Sequence, residues 1–259
     1  MLGGNAMEHD SVYDRIVQYL FHSGDIQPGD RVVETHLAAH LGVSRIPVRE
    51  ALGRLRGQGL LVSDGRSRGL RLRRYSLDDI AQFYDYRELL EGGTARAAAQ
   101  KATPEDLAKL GAIHERTIVL AEKGGYESPE WFALDHGFHA TLAESSHNER
   151  IARSAKHLLA ELHGIFYGPM YHRIAAARGR KMKRSEASRH AGIVLREHKA
   201  MIVAVRSGDA VAAERRARQH VRHASRRLRD AFAGLTAEAG ANITSVPLPR
   251  SVRVGPAGH

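Results

Sequence analysis

The sequence predicts a mainly α-helical protein in two parts: an N-terminal winged helix-turn-helix of three helices plus a β-hairpin wing, then an all-α antiparallel helical bundle. Three observations predict it. Apolar residues recur at spacings of three and four through most of the chain. One short basic stretch, Leu70-Arg71-Leu72-Arg73, alternates instead and follows a glycine-flanked turn. Six periodic segments after it carry no strand-like alternation at all.

Val12, Ile16, Val17 and Leu20 share one helical face. Asp25-Ile26-Gln27-Pro28-Gly29-Asp30 reads as a turn, because Pro and Gly both favour non-helical backbone there. A short second helix has Leu37, Ala38 and Leu41 on its inner face and stops at Gly42. Gly42-Val43 is the corner between two crossing helices. Ser44 supplies an N-cap for the third helix, and Pro47 fits because it falls in the first turn. That helix buries Val48, Ala51, Leu52 and Leu55. Leu60-Leu61-Val62 and residues 70–73 form the hairpin, joined by the turn Asp64-Gly65-Arg66-Ser67-Arg68-Gly69.

Ser76 is a candidate cap for the next helix. Periodic segments then lie near 80–100, 104–123, 130–145, 149–170, 188–206 and 209–232. Thr103-Pro104, Gly124-Gly125 and Ser207-Gly208 break them. The expected domains are therefore 10–75 and 76–232, and residues 233–259, with scattered Gly and Pro, are expected to be a disordered tail.

Composition bounds the function. A chain of 259 residues with 42% hydrophobic residues can bury more than one core. Cysteine is absent, which excludes disulfides, thiolate metal sites and cysteine nucleophiles. No stretch is long and apolar enough to span a bilayer, and the first residues lack the apolar run of a secretory signal. A cytoplasmic protein without membrane partners is expected. The formal net charge of +10 favours a polyanionic partner. Arginine is concentrated at 45–74, 173–184 and 215–229. Segment 173–187 reads as an inserted basic loop able to touch phosphate.

The N-terminal turn of the third helix carries Ser44, Arg45, Ile46 and Arg49. A recognition helix reads bases with that end, and guanidinium can grip guanine O6 and N7 or phosphate. Arg45 and Arg49 are one turn apart and share a face. Arg66 and Arg68 sit on the wing turn, in reach of a minor groove or the backbone. On charge alone, a solvated arginine-rich surface stands as an equal reading.

Gln27-Pro28-Gly29-Asp30-Arg31-Val32-Val33-Glu34, Leu37-Ala38, Leu41 through Leu52, Leu55, Gly59-Leu60-Leu61 and Arg68-Gly69 together resemble the GntR family of regulators over about residues 12–74. The resemblance implies that Arg45 and Arg49 contact DNA, with Ser44, Arg66 and Arg68 assisting. Position 46 is Ile where the family often has Thr, so no polar base contact is implied there.

Sixteen histidines are present, and most are expected to serve packing or surface. Four positions have a spatial case. Asp135 and His139 are four apart on one helix face. His198 and His220 flank Gly208 at similar distances, so a helical hairpin there places both imidazoles roughly 15 Å from the bend and side by side. Three imidazoles and one carboxylate suit a divalent transition metal such as zinc or nickel.

Asp135-His136-Gly137-Phe138-His139, Ser146-His147-Asn148, Glu197-His198, Gly208-Asp209 and His220 resemble the FCD effector domain of the FadR-type branch of that family. The resemblance implies that Asp135, His139, His198 and His220 bind the ion, with open positions for an effector carboxylate or hydroxyl. Tyr84 through Glu91 resembles the first long helix of this domain, where an arginine often faces the effector. Arg87 occupies that place. An intrahelical pair with Glu91 is an equally good reading of Arg87. His136, His157, His163 and His223 read as structural or surface residues.

The expected function is a homodimeric, ligand-responsive transcription regulator, a repressor, acting on a palindromic double-stranded operator and therefore nucleoid-associated. A small carboxylate alters its operator affinity. Two other classes compete: a metalloenzyme of the helical domain, with Glu197 or Glu144 as base, and a charge-driven, sequence-indifferent DNA binder.

Overall fold

Residues 12–17, 19–20, 25–26, 28–63, 65, 69–74, 76–126, 128–162 and 184–239 are described by the structure, a computed structural model. The chain divides into two compact units with a boundary between Ser76 and Leu77. It is mainly helical, as the apolar periods require.

In the first unit α1 is helical at 12–17 and 19–20, and Ile16 and Leu20 are buried from it. Then come β1 (Arg31–Val32), α2 (Glu34–Leu41), α3 (Arg45–Gly57), β2 (Leu61–Ser63) and β3 (Leu70–Leu72). Gly42 ends α2 in the left-handed region at φ 66°, and the Val43 N–H then reaches back to the Ala38 carbonyl at 3.1 Å. That closure satisfies a helix-end carbonyl and turns the chain into α3. Ser44 occupies the N-cap position of α3, but its side chain makes no capping hydrogen bond. Val48, Ala51, Leu52 and Leu55 are the buried residues of α3, as their spacing requires.

The wing holds one strand more than the hairpin expected. The sheet order is β1-β3-β2, all antiparallel, with Val32 opposite Leu70 and Leu61 opposite Leu72. A two-residue strand has no period to read, so β1 passes for part of the preceding turn.

The second unit begins with α4 (Leu77–Lys101), α5 (Pro104–Glu122), α6 (Pro129–Glu144) and α7 (Glu149–Leu162). It continues with α8 (Arg184–Arg206) and α9 (Ala210–Ala239). Thr103 and Asp106 form a reciprocal capping box at the start of α5. Gly208, at φ 72°, makes the tight turn from α8 to α9 that the sequence places there. α6 packs on α4, α5 and α7, while α8 packs on α4 and α5. Ala95, Ala98 and Ala99 of α4 and Ala213 and Ala217 of α9 are small enough to let helices close around Phe138, Leu142 and Met201.

Two expectations need correction or restriction. α9 runs to Ala239, so helix continues past residue 232 into the stretch expected to be a disordered tail. Residues 240–259 lie outside the described residues, as do 163–183, which hold most of the basic segment 173–187 and the end of the segment expected at 149–170. Among the described residues no helix is long and apolar enough to cross a membrane.

Candidate metal centre and nucleic-acid interface

Asp135 and His139 project from one face of α6, His198 from α8 and His220 from α9. One ligand atom of each lies within 4.8 Å of the others, and all four residues are buried. The ring centroids of His139, His198 and His220 stand 5.0 to 5.2 Å apart. The hairpin at Gly208 thus brings His198 and His220 together across two helices.

Each imidazole is held from outside. His220 Nδ1 lies 2.8 Å from Glu197 Oε2, which leaves its Nε2 as the ligand atom. Glu197 also bonds His223 through its other oxygen, so one carboxylate orients two rings. His139 Nδ1 lies 2.8 Å from Glu91 Oε2, and the Arg87 Nε donates to the same carboxylate. The ring of His198 stacks on Phe138 at 4.0 Å between centroids, 8° from parallel. Partners behind metal-ligating histidines fix both tautomer and ring direction.

Electrostatics favours ligand-competent rings. Burial pushes the His198 imidazolium pKa well below its ordinary value, and His220 and His139 add to the push. Burial also lowers His220, although Glu197 opposes it. Neutral imidazole offers a lone pair; imidazolium does not. Burial resists ionisation of Glu91, but Arg87 and then His139 outweigh it and hold its carboxyl well below the usual range.

Does this donor set fit a metal? The Nε2 atoms of His139 and His198 are buried without a hydrogen bond, as is His139 Nδ1 despite its 2.8 Å approach to Glu91, and His198 Nε2 stands 3.5 Å from Asp135 Oδ1. Buried polar atoms are ordinarily satisfied, and two unsatisfied imidazole nitrogens converging on a carboxylate are what a cation would satisfy. Three nitrogens and one oxygen suit zinc or nickel. The residues fit.

Arg87 is fully buried; its Nε donates to Glu91 in the intrahelical pair, and its guanidinium lies 5.5 Å from the Tyr84 ring centroid. Of the two readings open for it, the structure displays that pair. Sequence reasoning missed the supporting roles of Glu91 and His223. Glu91 is legible as the i+4 partner of Arg87, but its second contact, to His139 on another helix, is not. Glu197, a candidate general base on sequence grounds, has both oxygens engaged with histidines.

In the first unit, Arg45 and Arg49 stand at the tip of α3 with side chains 59% and 64% exposed. Both bond Glu34, from the first turn of α2. Arg45 Nε donates to Oε1 at 2.8 Å; Arg49 donates to Oε2 at 3.0 Å and to Oε1 at 2.9 Å. Ser44 is exposed, and Ile46 is 67% exposed beside the arginines. Arg66 and Arg68 lie outside the described residues.

Residues 9–69 match the family described as bacterial regulatory proteins, gntR family, and residues 82–223 match the FCD domain. The HTH-type transcriptional regulator YdhC of Bacillus subtilis is 30% identical over 214 residues, covering 82% of this chain and 86% of that protein. The Glc operon transcriptional activator of Escherichia coli K12 is 28% identical over 236 residues, 85% of this chain and 87% of that one. Among solved structures, E. coli McbR/YncC superposes with a TM-score of 0.66 at 21% identity, covering 86% of this chain and 98% of that one. At that identity the likeness is one of fold.

Proposed function

The chain belongs to the GntR family of bacterial regulatory proteins and carries an FCD domain, and from that premise we propose that it is a metal-assisted sensor of a small carboxylate that controls its hold on an operator. DNA binding and transcriptional regulation follow from the family, whose members named above are regulators rather than enzymes. The metal, the ligand and the sign of regulation are our reading.

The observation that carries it is the buried set Asp135, His139, His198 and His220. A zinc or nickel ion held there would supply a Lewis-acidic centre with coordination positions left over. Asp135 neutralises one of the ion's two charges and three neutral imidazoles neutralise none, so the centre keeps a net positive charge. Glu91 is already committed to Arg87 and His139 and does not remove it. An anionic oxygen ligand is the complement, hence a small carboxylate or hydroxy acid. Arg87, behind Glu91, keeps that carboxylate from drawing a proton and so holds His139 in place.

On the other unit Arg45 and Arg49 are proposed to read guanine edges, with Ser44, Arg66 and Arg68 on the backbone or minor groove. Ile46, exposed between them, suits the methyl group of thymine. A homodimer would set two such tips on a palindrome. Repression is the sign we propose, since operator occupancy alone produces it, whereas activation needs a further contact with the transcription machinery.

The test is operator affinity of the full chain, loaded with zinc, against a panel of small carboxylates, on a duplex selected from a random pool. One ligand is expected to change affinity at least about fivefold, the low end of ordinary allosteric coupling. The same response in His198→Ala, or no response to any carboxylate, would contradict the proposal.

A further inference from the structure

The DNA-reading tip contains a carboxylate that affinity alone does not call for. Glu34 is 23% exposed and sits between two arginines that face outward. A negative charge there repels phosphate, so a surface built only for attraction to DNA would leave it out. We propose that Glu34 is a positioning residue for base discrimination, binding Arg45 and Arg49 together so that both guanidinium groups meet guanine edges in a set orientation. This rests on the reading that these two arginines face DNA.

The geometry supports it at each step. Arg49 spends its Nε and Nη2 edge on the two oxygens of Glu34, a side-on, two-bond contact. A guanidinium has five N–H donors, and that contact leaves the end-on edge, built on Nη1, for another acceptor. Arg45 gives Glu34 only its Nε in this pairing, which leaves both terminal nitrogens. Glu34 itself is well anchored. It lies three residues before Leu37, which is buried, and α2 packs on α3. Its position relative to the α3 tip is therefore set by the core beneath it. Hydrogen bonds from Arg49 and then Arg45 hold its carboxyl down to about 2, so the bridge is ionised throughout the range in which duplex DNA is bound.

Two long arginine side chains otherwise search many rotamers, and on DNA they would settle on the nearest phosphates. Tethering them costs some sequence-independent attraction and gains orientation. One net positive charge remains on the trio, enough to keep the tip attractive to the duplex.

The experiment selects duplexes from a fully randomised DNA library with the full-length protein, sequences the winners, and measures affinity for the selected site and for a scrambled duplex. Wild type is expected to enrich a motif with fixed guanines. Glu34→Gln, which keeps size but loses the charge, should lose about tenfold of its preference at those guanines. Its affinity for scrambled duplex should stay level or rise, and thermal melting should show it folded. If E34Q does not fold, Glu34→Asp, which keeps the charge but shortens the reach, should show the same relaxed preference. E34Q or E34D discriminating as sharply as wild type, while Arg49→Ala does not, overturns the positioning role and leaves DNA reading intact. If R45A and R49A select the same motif as wild type, or wild type selects none, the assignment of these arginines fails and this proposal with it.

Discussion

Glu34 and Glu91 each bridge two basic groups, and they live in opposite surroundings. Glu34 joins Arg45 and Arg49 at an exposed helix tip; Glu91 joins Arg87 and His139 in the interior of the helical unit. At the tip, water screens every charge, so the bridge is worth little to stability and its value is directional. Inside, losing one partner leaves a buried charge uncompensated, so the bridge weighs heavily on stability. The same chemistry orients two exposed guanidinium groups in one place and a buried imidazole in the other.

The largest effect should come from breaking the inner bridge. Glu91→Gln removes the carboxylate that neutralises fully buried Arg87, and losing one partner of a buried pair costs about 3–5 kcal/mol. Denaturant unfolding measures it, and a loss within error would mean that the pair is solvated after all. Next comes the metal. Zinc added to metal-stripped protein at a hundredfold excess over its Kd should stabilise by about 2.7 kcal/mol, and Asp135→Asn or His198→Ala should remove most of that shift. Glu197→Gln should leave the fold standing but loosen His220, weakening zinc by about 10–100-fold in a competition titration.

The outer bridge should give the smallest stability effect. Glu34→Gln is expected to leave the unfolding midpoint within measurement error, in contrast to Glu91→Gln. Its pH dependence has a definite sign. The carboxyl lies at about 2 against an ordinary 4.5, so whatever stability it adds is present above 4.5 and fades only as pH falls toward 2. Any gap between E34Q and wild type should be small and constant above pH 4.5 and close as pH falls toward 2; a large gap at neutral pH would erase the contrast between the two bridges.

Much of this was legible in the sequence, for identifiable reasons. Val48, Ala51, Leu52 and Leu55 announce α3 because an amphipathic helix must bury one face, and Gly42 announces its start because few other residues take φ 66°. Asp135 with His139 is an i, i+4 pair, and His198 with His220 needs only a hairpin at Gly208 to meet. What stayed hidden was held by contacts between helices. Glu91 reaching His139, Glu197 spanning His220 and His223, and Glu34 reaching Arg45 and Arg49 pair residues 11 to 48 positions apart with no shared period. Strand β1 was hidden by being two residues long, and the end of α9 by a composition rich in Gly and Pro just beyond it.

The most direct measurement is a zinc-loaded crystal of the full chain examined at the zinc absorption edge. An anomalous peak at about 2.0–2.2 Å from Asp135, His139, His198 and His220 together is the expected result. Zinc bound only elsewhere, or no peak among these four side chains at full loading, would contradict the account.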